Sequence, residues 1–234
     1  MVYALSVAML SVLSSPADAT SFVPLSVEQL TDASDTIVRG IVVDVWTEVE
    51  TSEKKITREI NELQRTENNV ARIWTVAQVE VVSVLKANDR TKNVESNAPA
   101  KTYLTISQPG GTWGESNMIV ESVSRFSIGE EGYFFVEDLK SGLSVTTGMF
   151  QGKYNIILDP YTGQELSTRF TIHPGRTFDH RFIPLPQKSK RVRASDFEAQ
   201  VKRRVAAGWD GKSIPGISDE ELKQKSSPQS SQGF

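Results

Sequence analysis

The sequence predicts a mainly β fold, a five-stranded barrel with an added β-hairpin and a C-terminal helix. Two long runs rich in β-branched residues, Thr36–Val49 and Val70–Lys86, indicate its first strands. The first run is apolar on both faces at its centre, which is typical of a strand that curls into a barrel or lies between two layers. Shorter β-runs separated by Gly and Pro turns then predict further strands of the same sheet.

A short helix is predicted before the first strand. Ser26 and Gln29 have the spacing of a capping box, and Leu25 and Leu30 occupy the two positions of a hydrophobic staple. Within the first strand, Gly40 predicts a bend or bulge where a barrel strand turns, and close approach of a ligand is the alternative.

Turn signals delimit the later strands. Pro109-Gly110-Gly111 requires a turn, and Asp159–Gly163 has the residues of a tight hairpin connection. A strand-like centre is also present at Met118–Val120. The other strands predicted in this part are Lys101–Gln108, Tyr133–Glu137, Leu143–Thr147, Lys153–Leu158 and Gln164–Phe170.

The charged insertion at residues 50–69 has two interpretations. Ile56, Ile60 and Leu63 have helical spacing and would form an apolar stripe on a short helix that caps the barrel mouth. A solvated extension of the hairpin between the two long strands is the alternative, and the sequence leaves both open.

The C-terminal part predicts one helix and a tail. Ser195 and Glu198 again have capping-box spacing, and Gly208 ends the helix after Ala207. A further short helix is considered at Ser218–Lys225. The predicted organisation is a signal peptide (1–19), a β-barrel domain with its hairpin (20–175), an extended segment with the C-terminal helix (176–208) and a disordered tail (209–234).

The N-terminus predicts export. Ala4–Leu13 is an apolar stretch too short to span a bilayer, and Ala17-Asp18-Ala19 fits the small-x-small cleavage pattern, so the mature chain would begin at Thr20. Met1-Val2-Tyr3 lacks the basic residues that usually precede such a stretch. We expect a secreted or periplasmic protein of bacterial type.

Composition excludes several function classes. The chain has 26 Lys and Arg against 29 Asp and Glu and a formal charge of -3, which gives no basic footprint for nucleic acid. It has no cysteine, which excludes disulfides, thiolate metal sites and cysteine nucleophiles. Stability must therefore come from packing.

The sequence contains no complete catalytic or metal-binding motif. His173 and His180 are the only histidines, so three-histidine and HExxH zinc sites are ruled out. Gly211-Lys212-Ser213 lacks the preceding glycine of a phosphate-binding loop, and Gly114–Met118 lacks the closing glycine of a nucleophile elbow. We predict no enzyme activity, no cofactor and no metal.

The order of these elements resembles a known family. A short helix, the strand DTIVRGIVVDV, a second strand ending in VLK, a third ending at Pro-Gly-Gly and then FSIGEEGYFFVE are similar to the netrin-type module of OB-like fold, which includes the tissue inhibitors of metalloproteinases. Uncharacterised secreted bacterial proteins have the same plan. The similarity spans about residues 22 to 155 and implies an OB-like barrel. Those inhibitors chelate the protease metal through an N-terminal cysteine, whereas Thr20 stands at the predicted mature end here.

Binding is the function that these observations leave. OB barrels commonly bind ligands on the face of their second and third strands, so Trp74, Tyr103 and Trp113 are the candidate platform, with core packing as the alternative for the first two. A basic surface is predicted at Arg191, Arg193, Lys202, Arg203 and Arg204. The expected protein is a monomeric exported binding module for a protein or an envelope glycan; the alternatives are a cysteine-independent protease inhibitor and an unrecognised hydrolase.

Overall fold

The computed structural model describes residues 23–51, 56–57, 70–87, 101–169 and 191–226. In chain order the elements are α1 (Val27–Ala33), β1 (Thr36–Thr51), β2 (Ile56–Thr57), β3 (Val70–Lys86), β4 (Tyr103–Pro109), β5 (Gly111–Trp113), β6 (Ser116–Met118), β7 (Glu131–Asp138), β8 (Ser144–Thr146), a single 3-10 turn (Met149–Gly152), β9 (Lys153–Leu158), β10 (Glu165–Thr168), β11 (Val192–Arg193), α2 (Ala194–Ala207) and α3 (Asp219–Ser226).

The strands form one antiparallel nine-stranded sheet and a separate β5–β6 hairpin. The sheet order is β11-β10-β9-β7-β1-β3-β4, with β2 added to β1 and β8 added to β7. The predicted mainly β class, the C-terminal helix and the β9–β10 hairpin are therefore confirmed.

The sheet is not closed into the predicted barrel. Closure would require β4 to pair with β8, and no backbone ladder joins these strands in the described part of the chain. Because β8 has only three residues, it offers little backbone for a ladder. The Gln108 side chain donates instead to Thr146 Oγ1, at 2.5 Å, so a side-chain hydrogen bond joins the two strands where a barrel would close.

Gly40 lies at a register shift of the β1–β3 ladder, which confirms the predicted bulge. A Cβ at this position would lie 2.4 Å from Val79 Cγ1 and 2.7 Å from the carbonyl oxygen of Glu80. These distances are too short for any side chain, so the close crossing of β1 and β3 depends on glycine.

Side chains on the two faces of the sheet form separate apolar clusters. The inner face carries Val38, Val42, Ala77, Val79, Ile106, Phe134 and Val136. The outer face carries Ile37, Leu85, Tyr133, Phe135 and Tyr154, and α1 and α2 cover them with Leu30, Phe197 and Val201. The ring centroids of Tyr133 and Phe197 are 5.0 Å apart, so α2 docks on β7 largely through aromatic packing.

The two helix starts differ in how well the sequence predicted them. At α1 the capping box is present, with Ser26 Oγ accepting from Gln29 N at 3.1 Å and Gln29 Oε1 accepting from Ser26 N at 2.9 Å. The capping box predicted at Ser195 and Glu198 is wrong, because α2 begins earlier, with Arg193 as its N-cap and no side-chain cap. Glu198 instead forms an ion pair with Lys202 at 2.7 Å.

The insertion is described only at Ile56–Thr57, which pair with Val49 and Glu50 of β1 as strand β2. Ile56 is therefore in a strand and not in the predicted helix, and β2 lies on the edge of β1 opposite to β3. Ile60 and Leu63 lie outside the described residues, as do the predicted signal peptide, the two histidines and residues 227–234.

The short helix considered at Ser218–Lys225 is present as α3, so the predicted disordered tail at 209–234 is wrong for the part up to residue 226. Ile214 and Leu222 are buried and pack on Ala33 of α1. Lys225 Nζ donates to the Ala33 carbonyl at 3.0 Å and lies 3.4 Å from Asp35 Oδ2. The low hydrophobicity of the segment did not predict that it would pack on the domain, and two buried side chains are enough to dock it. No described helix is long and apolar enough to cross a membrane.

Candidate functional site

A part of the outer face of the sheet has none of the described helices packed on it, and it forms the candidate site. The β1–β3–β4 ladders align its side chains in rows: Asp44, Gln78 and Thr105; Trp46, Val76 and Ser107; Glu48, Trp74 and Pro109; and, on β3 and β4, Glu80 and Tyr103. We call this set the outer β1–β3–β4 face. In the described part of the molecule, no apolar cluster joins a helix to it.

Exposure increases along this face from one end to the other. Trp74 is 6% exposed, and Val76 and Ser107 beside it are also buried. At the other end Tyr103 is 46% exposed and the neighbouring Val82 is 52% exposed. Large apolar side chains in water on adjacent strands provide contact area for a partner, because burying them on binding removes apolar surface from water.

The polar groups of the face are mainly acidic. Asp44, Glu48 and Glu80 lie on it, and Lys101 Nζ reaches Glu80 Oε2 at 2.9 Å. The hydrogen bond that Lys101 donates to the Glu80 carboxylate raises the pKa of Lys101. Trp46 Nε1 donates to Glu48 Oε1 at 2.7 Å. The buried indole N–H of Trp74 has no acceptor among the described residues. This charge pattern disfavours phosphate-rich ligands and suits polar or cationic groups.

The three aromatic residues predicted as one platform are not brought together. Trp74 is opposite Pro109 and Tyr103 is opposite Glu80, so the two aromatics share a face but lie six positions apart along β4, roughly 20 Å. Trp113 ends β5, which packs on the inner side of the sheet, where a Cβ on Gly111 would lie 2.9 Å from Thr75 Oγ1. Only Tyr103 is an exposed aromatic of the outer β1–β3–β4 face.

Acidic side chains form ion pairs with several residues of the predicted basic surface. Arg191 and Arg203 are exposed, while Arg193 is paired with Asp196 at 2.9 Å. Arg204 does not belong to this surface, because it is only 13% exposed. Its Nε donates to Asp32 Oδ1 at 2.8 Å and its Nη2 donates to Asp32 Oδ2 at 2.5 Å, so it joins α2 to α1.

Two buried lysines were missed by sequence reasoning. Lys86 Nζ donates to the carbonyls of Thr31, at 2.8 Å, and Ser34, at 2.6 Å, which closes the C-terminal end of α1. Lys153 Nζ contacts Glu130 Oε1 and the Arg125 carbonyl, and it lies 5.1 Å from the centre of the Phe126 ring. Burial lowers the pKa of each lysine to about 8.

These lysines have a structural use that accounts for their burial. Lysines with lowered pKa values can act as bases or nucleophiles. Here the donors of Lys86 satisfy free carbonyls of a helix end, and Lys153 ties the loop before β7 to the start of β9. The described residues contain no group of three His, Cys, Asp or Glu side chains that would hold a metal ion. The alternation of apolar residues in β3, which ends at Lys86, gave no sign that this lysine would be buried.

Comparison with known proteins assigns neither a family nor a function to the chain. No protein-family model matches the chain. No curated protein is significantly similar to it either. The interpretation of function therefore depends on the outer β1–β3–β4 face and on the chemistry of its side chains.

Proposed function

We propose that this protein is an exported, non-enzymatic binding module that contacts a protein or an envelope glycan through the outer β1–β3–β4 face. One observation carries the proposal: Tyr103 and Val82, which is two positions along β3 from Tyr103's partner Glu80, are both exposed on a part of the sheet that no described helix covers. Elsewhere the same side of the sheet is packed under α1 and α2. Tyrosine is enriched at binding sites because it buries a large apolar ring while its hydroxyl can form a hydrogen bond.

The strand order supports an OB-like interpretation of the sheet. Five strands follow the path β4-β3-β1-β7-β8. The Gln108–Thr146 hydrogen bond holds the two ends of that path close together. Within such a fold β3 and β4 are the second and third strands, whose outer face is the usual ligand surface. Tyr103 lies on that surface.

The proposal is tested by recovery of a partner on immobilised residues 20–234 from the envelope and secreted fractions of the producing organism. Tyr103→Ala should lower recovery about tenfold, because losing a buried aromatic contact typically costs more than 1 kcal/mol. Tyr161→Ala is the matched control, because Tyr161 is 95% exposed at the tip of the β9–β10 hairpin, away from this face.

Pretreatment of the fractions distinguishes the two ligand classes. Protease treatment removes a protein partner, and periodate oxidation removes a glycan. Equal recovery by the wild type, Tyr103→Ala and Tyr161→Ala would contradict the proposal.

Protease inhibition is a second candidate, and one contact favours it. The segment Val23–Leu25 is held at the surface by Gln151, whose Oε1 accepts from Leu25 N at 2.7 Å and whose Nε2 donates to the Val23 carbonyl at 3.2 Å. Val23 is 58% exposed. A fixed, exposed N-terminal segment is a suitable shape for entering a protease cleft. Residues 20–234 should then inhibit a secreted protease that residues 25–234 do not inhibit.

A further inference from the structure

The edge of β4 has backbone hydrogen-bonding groups that point away from β3. Val81 N donates to the Thr102 carbonyl at 2.8 Å, and Gly110 N donates to the Ile73 carbonyl at 2.8 Å. In an antiparallel pair, residues that bond their neighbour alternate with residues that face the other way. Both bonds show that the even-numbered residues from Thr102 to Gly110 are the ones that bond β3. The N–H and C=O groups of Tyr103, Thr105 and Ser107 therefore point to the far edge of β4.

Part of this edge is open to solvent. β4 is the last strand of the sheet in the described residues. Tyr103 and Thr105 are exposed, whereas Ser107 is buried near the Gln108–Thr146 contact. Lys101 before the strand and Pro109 at its end are residues that usually protect strand edges. They leave a short open stretch at Tyr103 and Thr105.

We propose that this stretch binds an extended polypeptide segment of a partner protein by strand addition. The proposal rests on the proposed function and names its ligand class. Donor and acceptor pairs two residues apart match the backbone of another strand, and neither a glycan nor a lipid repeats that spacing. Tyr103 on the edge strand favours an apolar side chain in the added segment, and Lys101, which is paired with Glu80, favours a polar residue next to it.

The test uses random dodecapeptides displayed on phage, selected on immobilised residues 20–234, with the best binder then synthesised. Each residue of this peptide is N-methylated in turn. We expect affinity to fall about tenfold at two peptide residues that are two positions apart and not at the residue between them, because only alternate N–H groups of an added strand reach the Tyr103 and Thr105 carbonyls, and a carbonyl left without its donor on binding costs more than 1 kcal/mol.

Two protein variants accompany this scan. Thr105→Pro removes the N–H at the open edge and should weaken the peptide about tenfold, whereas Thr105→Ala keeps that N–H and should bind as the wild type does. The scan uses the wild-type protein, so the proposal stays testable if Thr105→Pro does not fold.

Other outcomes overturn the proposal. If N-methylation shows no alternation, or if Tyr103→Ala abolishes peptide binding while Thr105→Pro does not, the face binds through side chains and the proposed function survives without strand addition. Selection of no peptide also overturns strand addition, and recovery of the envelope partner then decides the proposed function separately. A concentration-dependent dimer that Thr105→Pro dissociates would assign the edge to a second copy of the chain.

Discussion

Gly40 shows how one residue determines the geometry of the longest strand pair. Because Gly40 has no side chain, β1 can approach β3 so closely that Val79 Cγ1 and the Glu80 carbonyl oxygen occupy the space that a Cβ would need. We predict that Gly40→Ala lowers the free energy of unfolding by about 2 kcal/mol or more, because backbone must move to admit the methyl group. Gly142→Ala is the control, since its Cβ would meet nothing within 4 Å and its positive φ costs about 1 kcal/mol. Urea denaturation measures both, and equal losses would contradict the packing argument.

Lys86 gives a pH-dependent prediction at the same scale. Burial lowers its pKa from 10.5 to about 8, although Asp32 and Asp35 act in the opposite direction. Between these pH values the unfolded chain binds more protons at this residue than the folded chain does, so rising pH favours the folded state. We predict that the free energy of unfolding of the wild type rises relative to that of Lys86→Met from pH 8 to 10.5. A constant or falling difference would show that the two aspartates outweigh burial.

At the scale of the elements, the ion pair of Arg204 and Asp32 joins α2 to α1 through two hydrogen bonds. Burial raises the pKa of Asp32 above its usual value, although the Arg204 guanidinium acts in the opposite direction. We expect Arg204→Ala to cost about 3 kcal/mol of folding stability, because it leaves a largely buried carboxylate unpaired. The exposed neighbour provides a matched control, and Arg203→Ala should cost about 0.5 kcal/mol or less. Comparable losses in thermal or urea unfolding would refute the assignment.

Helix α3 lies in the segment whose composition predicted a disordered tail. Leu222 is fully buried against Ala33, so residues 209–226 belong to the folded domain. Leu222→Ala should reduce stability by about 2 to 3 kcal/mol through lost burial and a cavity, whereas Leu158→Ala at an exposed leucine should cost about 0.5 kcal/mol. A disordered tail would make both substitutions neutral. Urea midpoints of the two variants decide between these descriptions.

For the whole molecule, local patterns in the sequence predicted the elements better than their assembly. The capping box at Ser26, the bulge at Gly40 and the turn at Asp159–Gly163 are fixed by neighbouring residues, and all three are present. The barrel was not predictable in the same way, because closure depends on whether β8 is long enough to pair with β4. The hydrogen bond between Gln108 and Thr146, which is found where the barrel would close, joins residues far apart in the chain, so local patterns do not predict it.

The candidate site was only partly predictable for the same reason. Tyr103 was identified from its place on the third strand, while Val82 became a candidate only when the β3–β4 register placed it on the same face, two positions from Tyr103's partner Glu80. Trp74 and Trp113 have the residue type of a binding site, but burial and position separate them from Tyr103. Tertiary packing decides which face of a long strand the helices cover. The alternation of apolar and polar residues along one strand does not show which face that is.

The most direct test of the binding face is photocrosslinking in the living organism. A benzoylphenylalanine replaces Tyr103 in one strain and Tyr161 in another, since both tyrosines are exposed but lie on different parts of the molecule. If the outer β1–β3–β4 face binds a partner, irradiation should give a discrete higher-mass adduct at position 103 and none of the same mass at position 161. Identical adduct patterns at the two positions, or an adduct at position 161 alone, would contradict the account.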